Sequence, residues 1–327
     1  MKLSLEKIHL DLKVNWKLSR NQTTFKENFI VHLHTIAGDF RSEIAPNIRY
    51  GETVESIQNQ FNEWVEITEL PTLSNVSVLE SALGKMELHH SLRFGIESVY
   101  IQYFAKKSVQ SISDFLGLPP VKKVPTSFSM PIIPVGEIAD YLKPLARFES
   151  LKIKVNAETG AEMLAEIKKH TEAKLRVDAN EGWTSLEEFL KFQSGLQGMN
   201  IELIEQPFPS SMAAEYKELK KQTPYKLLAD ESIEDVGDFS ELSKQFHAVN
   251  IKLMKTGSLI KAKKLLEDAK KNGMESMMGC MIETTIGISY GMLFSGMVDY
   301  VDLDGFLLIK DEPFRLVTET EGYLNLN

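Results

Sequence analysis

The chain has 327 residues, 25% of them charged and 43% hydrophobic, which is ordinary globular composition and enough for one large domain plus a smaller one. The formal net charge is −9 and no run of five Lys/Arg occurs, which argues against nucleic acid and anionic membrane surfaces as partners. A small anionic substrate stays compatible, because a few local cations outweigh a diffuse acidic field.

The N-terminus alternates apolar and polar residues through Leu3, Leu5, Ile8, Leu10 and Leu12, with one slip of phase near Glu6–Lys7 that a bulge would allow. This is a strand pattern; it lacks the apolar core of a signal peptide. No stretch approaches 18 apolar residues, and the single cysteine, Cys280, cannot form an intramolecular disulfide, so the expectation is a cytoplasmic protein with no membrane span. A second strand pattern over Phe29–His34 ends at the turn signal Ala37-Gly38-Asp39. In Ser91–Lys107, Ile96, Val99, Tyr100, Tyr103 and Phe104 share one helical face. The first 120 or so residues thus read as an α+β unit.

After Pro119-Pro120 strand and helix alternate. Apolar runs recur at Leu151–Val155, Leu175–Val177, Ile201–Ile204, Leu227–Ala229, Val249–Leu253 and Tyr300–Leu303, with amphipathic segments between them. Thr184-Ser-Leu-Glu187 reads as a capping box, and Gly273 stands where a helix begun near Leu259 should stop. This alternation predicts parallel strands with crossover helices.

Polar residues end these runs at a regular interval. Asp178, Glu205, Asp230 and Lys252 follow one another at 27, 25 and 22 residues, one βα unit each. In a (β/α) barrel such strand ends meet at one mouth, whereas a doubly wound open sheet would spread them along a line and usually offers a Gly-rich phosphate loop, absent here. Three carboxylates aimed into one mouth repel one another unless a cation stands between them, and oxygen ligands suit Mg²⁺. Lys152 and Lys154 flank Ile153 and point to one side, roughly 7 Å apart. Two solvated lysines on an edge strand would fit a surface, not a strand preceding Asp178 in the same barrel. Lys154 and Lys252, on strands two and six, would face each other across the mouth, as two bases must to invert a stereocentre. Crowding by a dication and apolar walls is expected to depress their pKa values. Lys255, past its strand, is expected in solvent. Asp302 and Asp304 share a face and suggest an ammonium site, and Glu283 closes strand seven.

Taken together, Lys-x-Lys, Asp-Ala-Asn, Glu-Gln-Pro, Ala-Asp-Glu-Ser and Asn-Ile-Lys-Leu-x-Lys resemble the enolase superfamily, muconate-lactonizing subgroup, and within it the dipeptide epimerases of the L-Ala-D/L-Glu type. Ser19-Arg20, Ala45-Pro-Asn-Ile-Arg-Tyr-Gly-Glu-Thr53 and Asp302-Leu-Asp304-Gly extend the likeness to the whole chain. The resemblance implies an α/β fold, a modified TIM barrel (β/α)₇β over residues 123–305, capped by an α+β domain of residues 1–122 completed by 306–327. It implies Mg²⁺ on Asp178, Glu205 and Asp230, and Lys154 and Lys252 as the acid/base pair. Lys152 would meet the substrate carboxylate, and Asp302 with Asp304 the dipeptide ammonium. The implied reaction is 1,1-proton transfer through an enediolate, and murein peptide recycling is the implied context. Arg20 and Arg49, in cap loops, are the candidates to hold an acidic C-terminal side chain, with Glu283 a further residue beside the substrate. Asn21 and Ser258 depart from the family's glycines in loops expected near the mouth. Alternatives are an o-succinylbenzoate synthase or muconate cycloisomerase, neither of which binds an ammonium, and an inactive barrel used as a binding scaffold. The expected partner is a small-molecule dipeptide; a homo-oligomer is left open.

Overall fold

The computed structural model describes residues 1–19, 21–121 and 124–327. The expected domain boundary at 122/123 and the side chain of Arg20 lie outside the described residues. A cap of three antiparallel strands comes first: β1 (Lys2–Lys17), β2 (Gln22–Thr35) and β3 (Gly38–Ile44). Gly38 turns β2 into β3 at a φ of +132°, where a side chain would be strained. The long β1–β2 ladder shifts register between Asp11 and Trp16, not near Glu6–Lys7. Alternation alone shows that a phase slips somewhere; pairing with β2 decides where. The helix predicted over Ser91–Lys107 runs from His90 to Lys107 and lays Leu92, Ile96 and Val99 against Phe29, Val31 and Leu33 of β2, forming the cap's own core.

Two short strands, β4 (Val124–Pro125) and β5 (Phe128–Met130), lead into the barrel. Its strands continue as β6 (Ser150–Lys154), β7 (Lys174–Asp178), β8 (Ile201–Glu205), β9 (Lys226–Ala229), β10 (Ala248–Lys252), β11 (Glu275–Gly279) and β12 (Tyr300–Asp302). They form one parallel eight-stranded sheet ordered β5 to β12, each strand beside its predecessor. Ser127 N donates to Val301 O at 3.4 Å and the Thr126 hydroxyl accepts from Leu303 N at 2.9 Å, drawing the two ends together. A helix follows each of the first seven strands, and only a short 3₁₀ turn, Gly305–Leu308, follows β12, so the architecture is (β/α)₇β. The strand-closing run at Glu275–Gly279 and the short β5 carry too few apolar residues to stand out in the sequence.

Helix signals are met with small shifts. Ser185, not Thr184, caps the helix Leu186–Ser194 by accepting from Glu188 N. The helix Leu259–Lys271 stops before Gly273, which adopts φ +69°. The C-terminal segment divides its contacts: Lys310 N donates to Asp11 O of β1, while the hairpin β13 (Val317–Thr320) and β14 (Tyr323–Leu326) pairs with β4 at the entry to the barrel. Among the described residues, no helix is long and apolar enough to cross a membrane.

Candidate active site at the barrel mouth

Strand register assembles the site. Lys154, Asp178 and Glu205 are direct neighbours across β6, β7 and β8, and Lys252, Gly279 and Asp302 are neighbours across β10, β11 and β12. Every one of the side chains among them is buried, as are Lys152 and Asp230. Lys152 Nζ lies 2.8 Å from Glu205 Oε2, 2.9 Å from Asp302 Oδ2 and 3.1 Å from Asp178 Oδ2. Lys154 Nζ donates to Asp178 Oδ2 at 2.5 Å and Lys252 Nζ to Asp230 Oδ2 at 2.6 Å. Lysine ammoniums thus stand against all three carboxylates, Lys152 and Lys154 on the β7–β8 side and Lys252 on Asp230. β6 and β10 are four strands apart in an eight-strand ring, which sets Lys154 and Lys252 on opposite sides of the mouth.

The supporting residues are polar and fixed. Asn250 donates to Glu205 Oε1 at 2.9 Å, and a Cβ on Gly279 would collide with the Asn250 amide, so the glycine is required for close approach. Gln206, at φ +39°, accepts from Asp230 N and Ser232 N and donates to Phe208 O, the Tyr216 hydroxyl and the Ser232 hydroxyl, tying the β8 loop to the β9 loop. Lys255 corrects the expectation of solvent exposure. It is fully buried, donating to Asp230 Oδ1 at 2.7 Å, to Asn250 O at 3.1 Å and to Asp230 O. The short helix Leu253–Thr256 turns it back beneath its own strand.

Direct carboxylate contacts dominate the electrostatics of the mouth. Burial pushes Lys152 down, but Asp302, Glu205, Asp178 and Asp230 together outweigh it and hold the ammonium well above its usual range. Lys252 is likewise raised, burial being overcome chiefly by Asp230. Depression by apolar walls loses here to direct carboxylate contact. Burial raises Asp178, yet Lys154 and Lys152 bring it down to about 2. Glu205 is pushed up to about 7, first by burial and then by Asp178. Its Oε2 sits at ion-pair distance from Lys152 but lacks hydrogen-bond geometry. The distance describes the Coulombic attraction; the missing alignment leaves this oxygen able to accept another cation.

With this geometry in place, the likeness to known proteins can be stated. Residues 137–317 match the family described as Enolase C-terminal domain-like. An L-Ala-D/L-amino acid epimerase of Pedosphaera parvula is 34% identical over 86% of this chain and 82% of its own. This chain belongs to the enolase superfamily. Another L-Ala-D/L-amino acid epimerase, of Flavobacterium johnsoniae, is 29% identical over 100% of this chain and 98% of its own. A solved dipeptide epimerase from Enterococcus faecalis V583, complexed with Mg and the dipeptide L-Leu-L-Tyr, superposes with a TM-score of 0.87 at 25% identity, covering 99% of this chain and 96% of that one.

In this superfamily member the mouth opens into a cavity of about 700 Å³ roofed by the cap. Lys152, Lys154, Asp230, Lys252, Asp302 and Asp304 all line it. The two aspartates are not equivalent. Asp302 is matched by Lys152 and accepts from the Ser127 hydroxyl at 2.6 Å. Asp304 accepts from Ser129 N and its hydroxyl, has no cation within 4 Å among the described residues, and is pushed up to about 7 by burial and Asp302. Asp302 thus faces a cation and Asp304 only neutral donors.

Arg49 lines the cavity but is not free: its fork grips Glu181, at 3.0 Å through Nε and 3.0 Å through Nη2. Glu283 is buried beyond β11 and is absent from the cavity lining; its carboxyl, pushed up to about 8 by burial and Glu43, accepts from Met281 N. Ser258 also lies away from the cavity. It caps the helix Leu259–Lys271 and donates to Glu97 at 2.6 Å, so its departure from glycine concerns packing. Residues that sequence reasoning missed are Asn250, Gln206 and Glu231, the last lining the cavity beside Asp230. Their motifs, Asn-Ile-Lys, Glu-Gln-Pro and Asp-Glu-Ser, held the signal. A second cavity of about 640 Å³ opens at the other end of the barrel and contains none of the candidate residues; Arg176 there answers Glu202 at 2.6 Å, and the Tyr323 hydroxyl donates to Glu149.

Proposed function

We propose that the protein is a Mg²⁺-dependent dipeptide epimerase, an isomerase in which Lys154 and Lys252 exchange the α-proton of the substrate's C-terminal residue from opposite faces. The observation that carries this reading is the pair of buried lysines on β6 and β10, facing across one mouth beside three strand-end carboxylates. The names of the relatives support it, and the Enterococcus faecalis structure holds Mg and a dipeptide.

Asp178, Glu205 and Asp230 would hold the metal. Their oxygen-only donors suit a hard cation, and the unaligned Glu205 Oε2, on a carboxyl already raised by crowding, favours added positive charge. When bound, Mg²⁺ supplies charge opposite the substrate carboxylate as the α-proton leaves, a pattern general to this superfamily. The chain's own residues do the rest. Asp304 would take the substrate ammonium, and Lys152 would add positive charge beside the carboxylate. Lys154 and Lys252 would alternate as base and acid, one neutral while the other is protonated. Neutralising the carboxylates removes what holds Lys252 as ammonium, which frees its proton for transfer.

The test is metal removal. Protein stripped with EDTA should lose at least about a hundredfold in α-proton exchange on a dipeptide panel, and Mg²⁺ should restore it. Undiminished exchange in metal-free protein would overturn the proposal.

A further inference from the structure

The cap side of the cavity contributes four charged side chains among the described residues: Lys26, Glu27, Arg49 and Glu52. Three are already engaged. Glu27 pairs with Lys7 at 3.0 Å, Arg49 with Glu181, and Glu52 accepts from Ser91 N and Asn47 N at 3.0 Å. Lys26 alone has neither a hydrogen bond nor a carboxylate within ion-pair distance among the described residues. It is half-buried in a wall that includes Trp16, Ile282 and Leu308. Burial, with nothing opposing it, lowers the pKa of this ammonium. A partly desolvated cation with no counter-charge is costly to maintain and gains from any anion brought to it.

Where Lys26 stands follows from how the β1–β2 ribbon crosses the mouth. Asn28, two residues on and on the same strand face, donates to Ile282 O at 3.1 Å, just past β11. Lys26 is opposite Leu10, and Leu12 bridges to Ile309, at the end of the 3₁₀ turn that follows β12. Further along, Lys17 O accepts from Ile132 N, past β5. The ribbon therefore runs over the ends of β11, β12 and β5 in turn, and Lys26 lies over β12, the strand that carries Asp302 and Asp304.

We infer that Lys26 selects dipeptides whose N-terminal residue carries an acidic side chain. The inference rests on the epimerase reading. With the substrate carboxylate toward Asp178, Glu205 and Asp230 and the ammonium on Asp304, the N-terminal residue lies beneath β2 and its side chain rises toward Lys26. A neutral side chain leaves the ammonium unmatched, and a cationic one is repelled.

Exchange of the C-terminal α-proton in D₂O, followed by NMR on L-Glu-L-Ala, L-Gln-L-Ala, L-Lys-L-Ala and L-Ala-L-Glu, tests this. The wild type should favour L-Glu-L-Ala over the near-isosteric L-Gln-L-Ala by at least about tenfold in kcat/KM. Lys26→Met should bring that ratio close to one, and Lys26→Glu should turn the preference toward L-Lys-L-Ala. Ratios taken within one variant do not depend on how much of it folds. Exchange with the same Glu/Gln ratio in wild type and Lys26→Met overturns the role of Lys26 and leaves the epimerase reading intact. So does a Lys26-dependent preference confined to L-Ala-L-Glu. A wild type that exchanges none of the four overturns both.

Discussion

The barrel and the cap present charge to the same cavity in opposite ways. On the barrel side, Lys154, Asp178 and Glu205 arrive in one register rung and Lys252 and Asp302 in another, and beneath the surface Lys152 pairs with Asp178, Glu205 and Asp302. On the cap side, charges come from a twisted ribbon and a loop, and they are engaged one by one: Glu27 and Glu52 within the cap, Arg49 across the seam on Glu181. On the proposed reading, the regular half builds the reaction and the irregular half chooses what enters. A fixed barrel rung leaves little room for variation, whereas a cap position such as Lys26 can change charge without disturbing a lysine or carboxylate below it.

The first way to probe this contrast is to unbalance the barrel. Lys255→Met leaves Asp230 with one fewer buried ammonium, and breaking such a pair costs about 3–5 kcal/mol. Chemical denaturation of the metal-free protein should show a loss of that order, together with tighter Mg²⁺ binding, because the removed ammonium no longer competes for Asp230. Stability and metal affinity both matching wild type would mean that the balance is not carried by Lys255.

A smaller effect concerns the seam between the halves. Glu97, on the cap helix His90–Lys107, accepts from the Ser258 hydroxyl and Leu259 N at the start of a barrel helix, both at 2.6 Å. Burial pushes its carboxyl up to about 8 from an ordinary 4.5. A carboxyl with a raised folded pKa is protonated more readily when folded. Its contribution is therefore present at low pH and lost as pH rises between about 4.5 and 8, with the full penalty above that window. The melting temperature of the wild type should fall across this range more steeply than that of Glu97→Gln. Parallel curves would remove Glu97 from the account of the seam.

Much of this was legible in the sequence for the same reason that the barrel is regular. One βα unit per strand gives a fixed interval, so Asp178, Glu205, Asp230 and Lys252 announced a common mouth, and the Lys152/Lys154 alternation announced a common face. What the interval cannot express is pairing between segments distant in the chain. Arg49 and Glu181 are 132 residues apart, and nothing near either foretells the other. Lys255 looked like a loop lysine because a single helical turn returning it beneath Asp230 leaves no periodic trace. The raised ammonium of Lys152 depends on four carboxylates from four strands, a sum that exists only after closure. The bulge in β1 was misplaced because it belongs to the pairing with β2 and not to either strand alone.

The smallest effect expected is at the fastener itself. The Arg49–Glu181 pair is partly exposed, so Arg49→Met should cost only about 0.2–1 kcal/mol of stability. It should change kcat/KM by a similar factor for acidic and apolar C-terminal residues, because the fork is already occupied. A selective loss for acidic C-terminal residues would return Arg49 to substrate recognition.

The opposed lysines are tested most directly by α-hydrogen exchange in D₂O with single-lysine variants of the pair. Lys154→Ala and Lys252→Ala should each lower epimerisation by roughly 10²–10⁴-fold, the range for loss of one acid/base group. Each variant should still exchange the α-hydrogen of one epimer and not the other, with opposite choices in the two proteins. Epimerisation near the wild-type rate in either variant, or exchange of the same epimer by both, would contradict the two-faced mechanism.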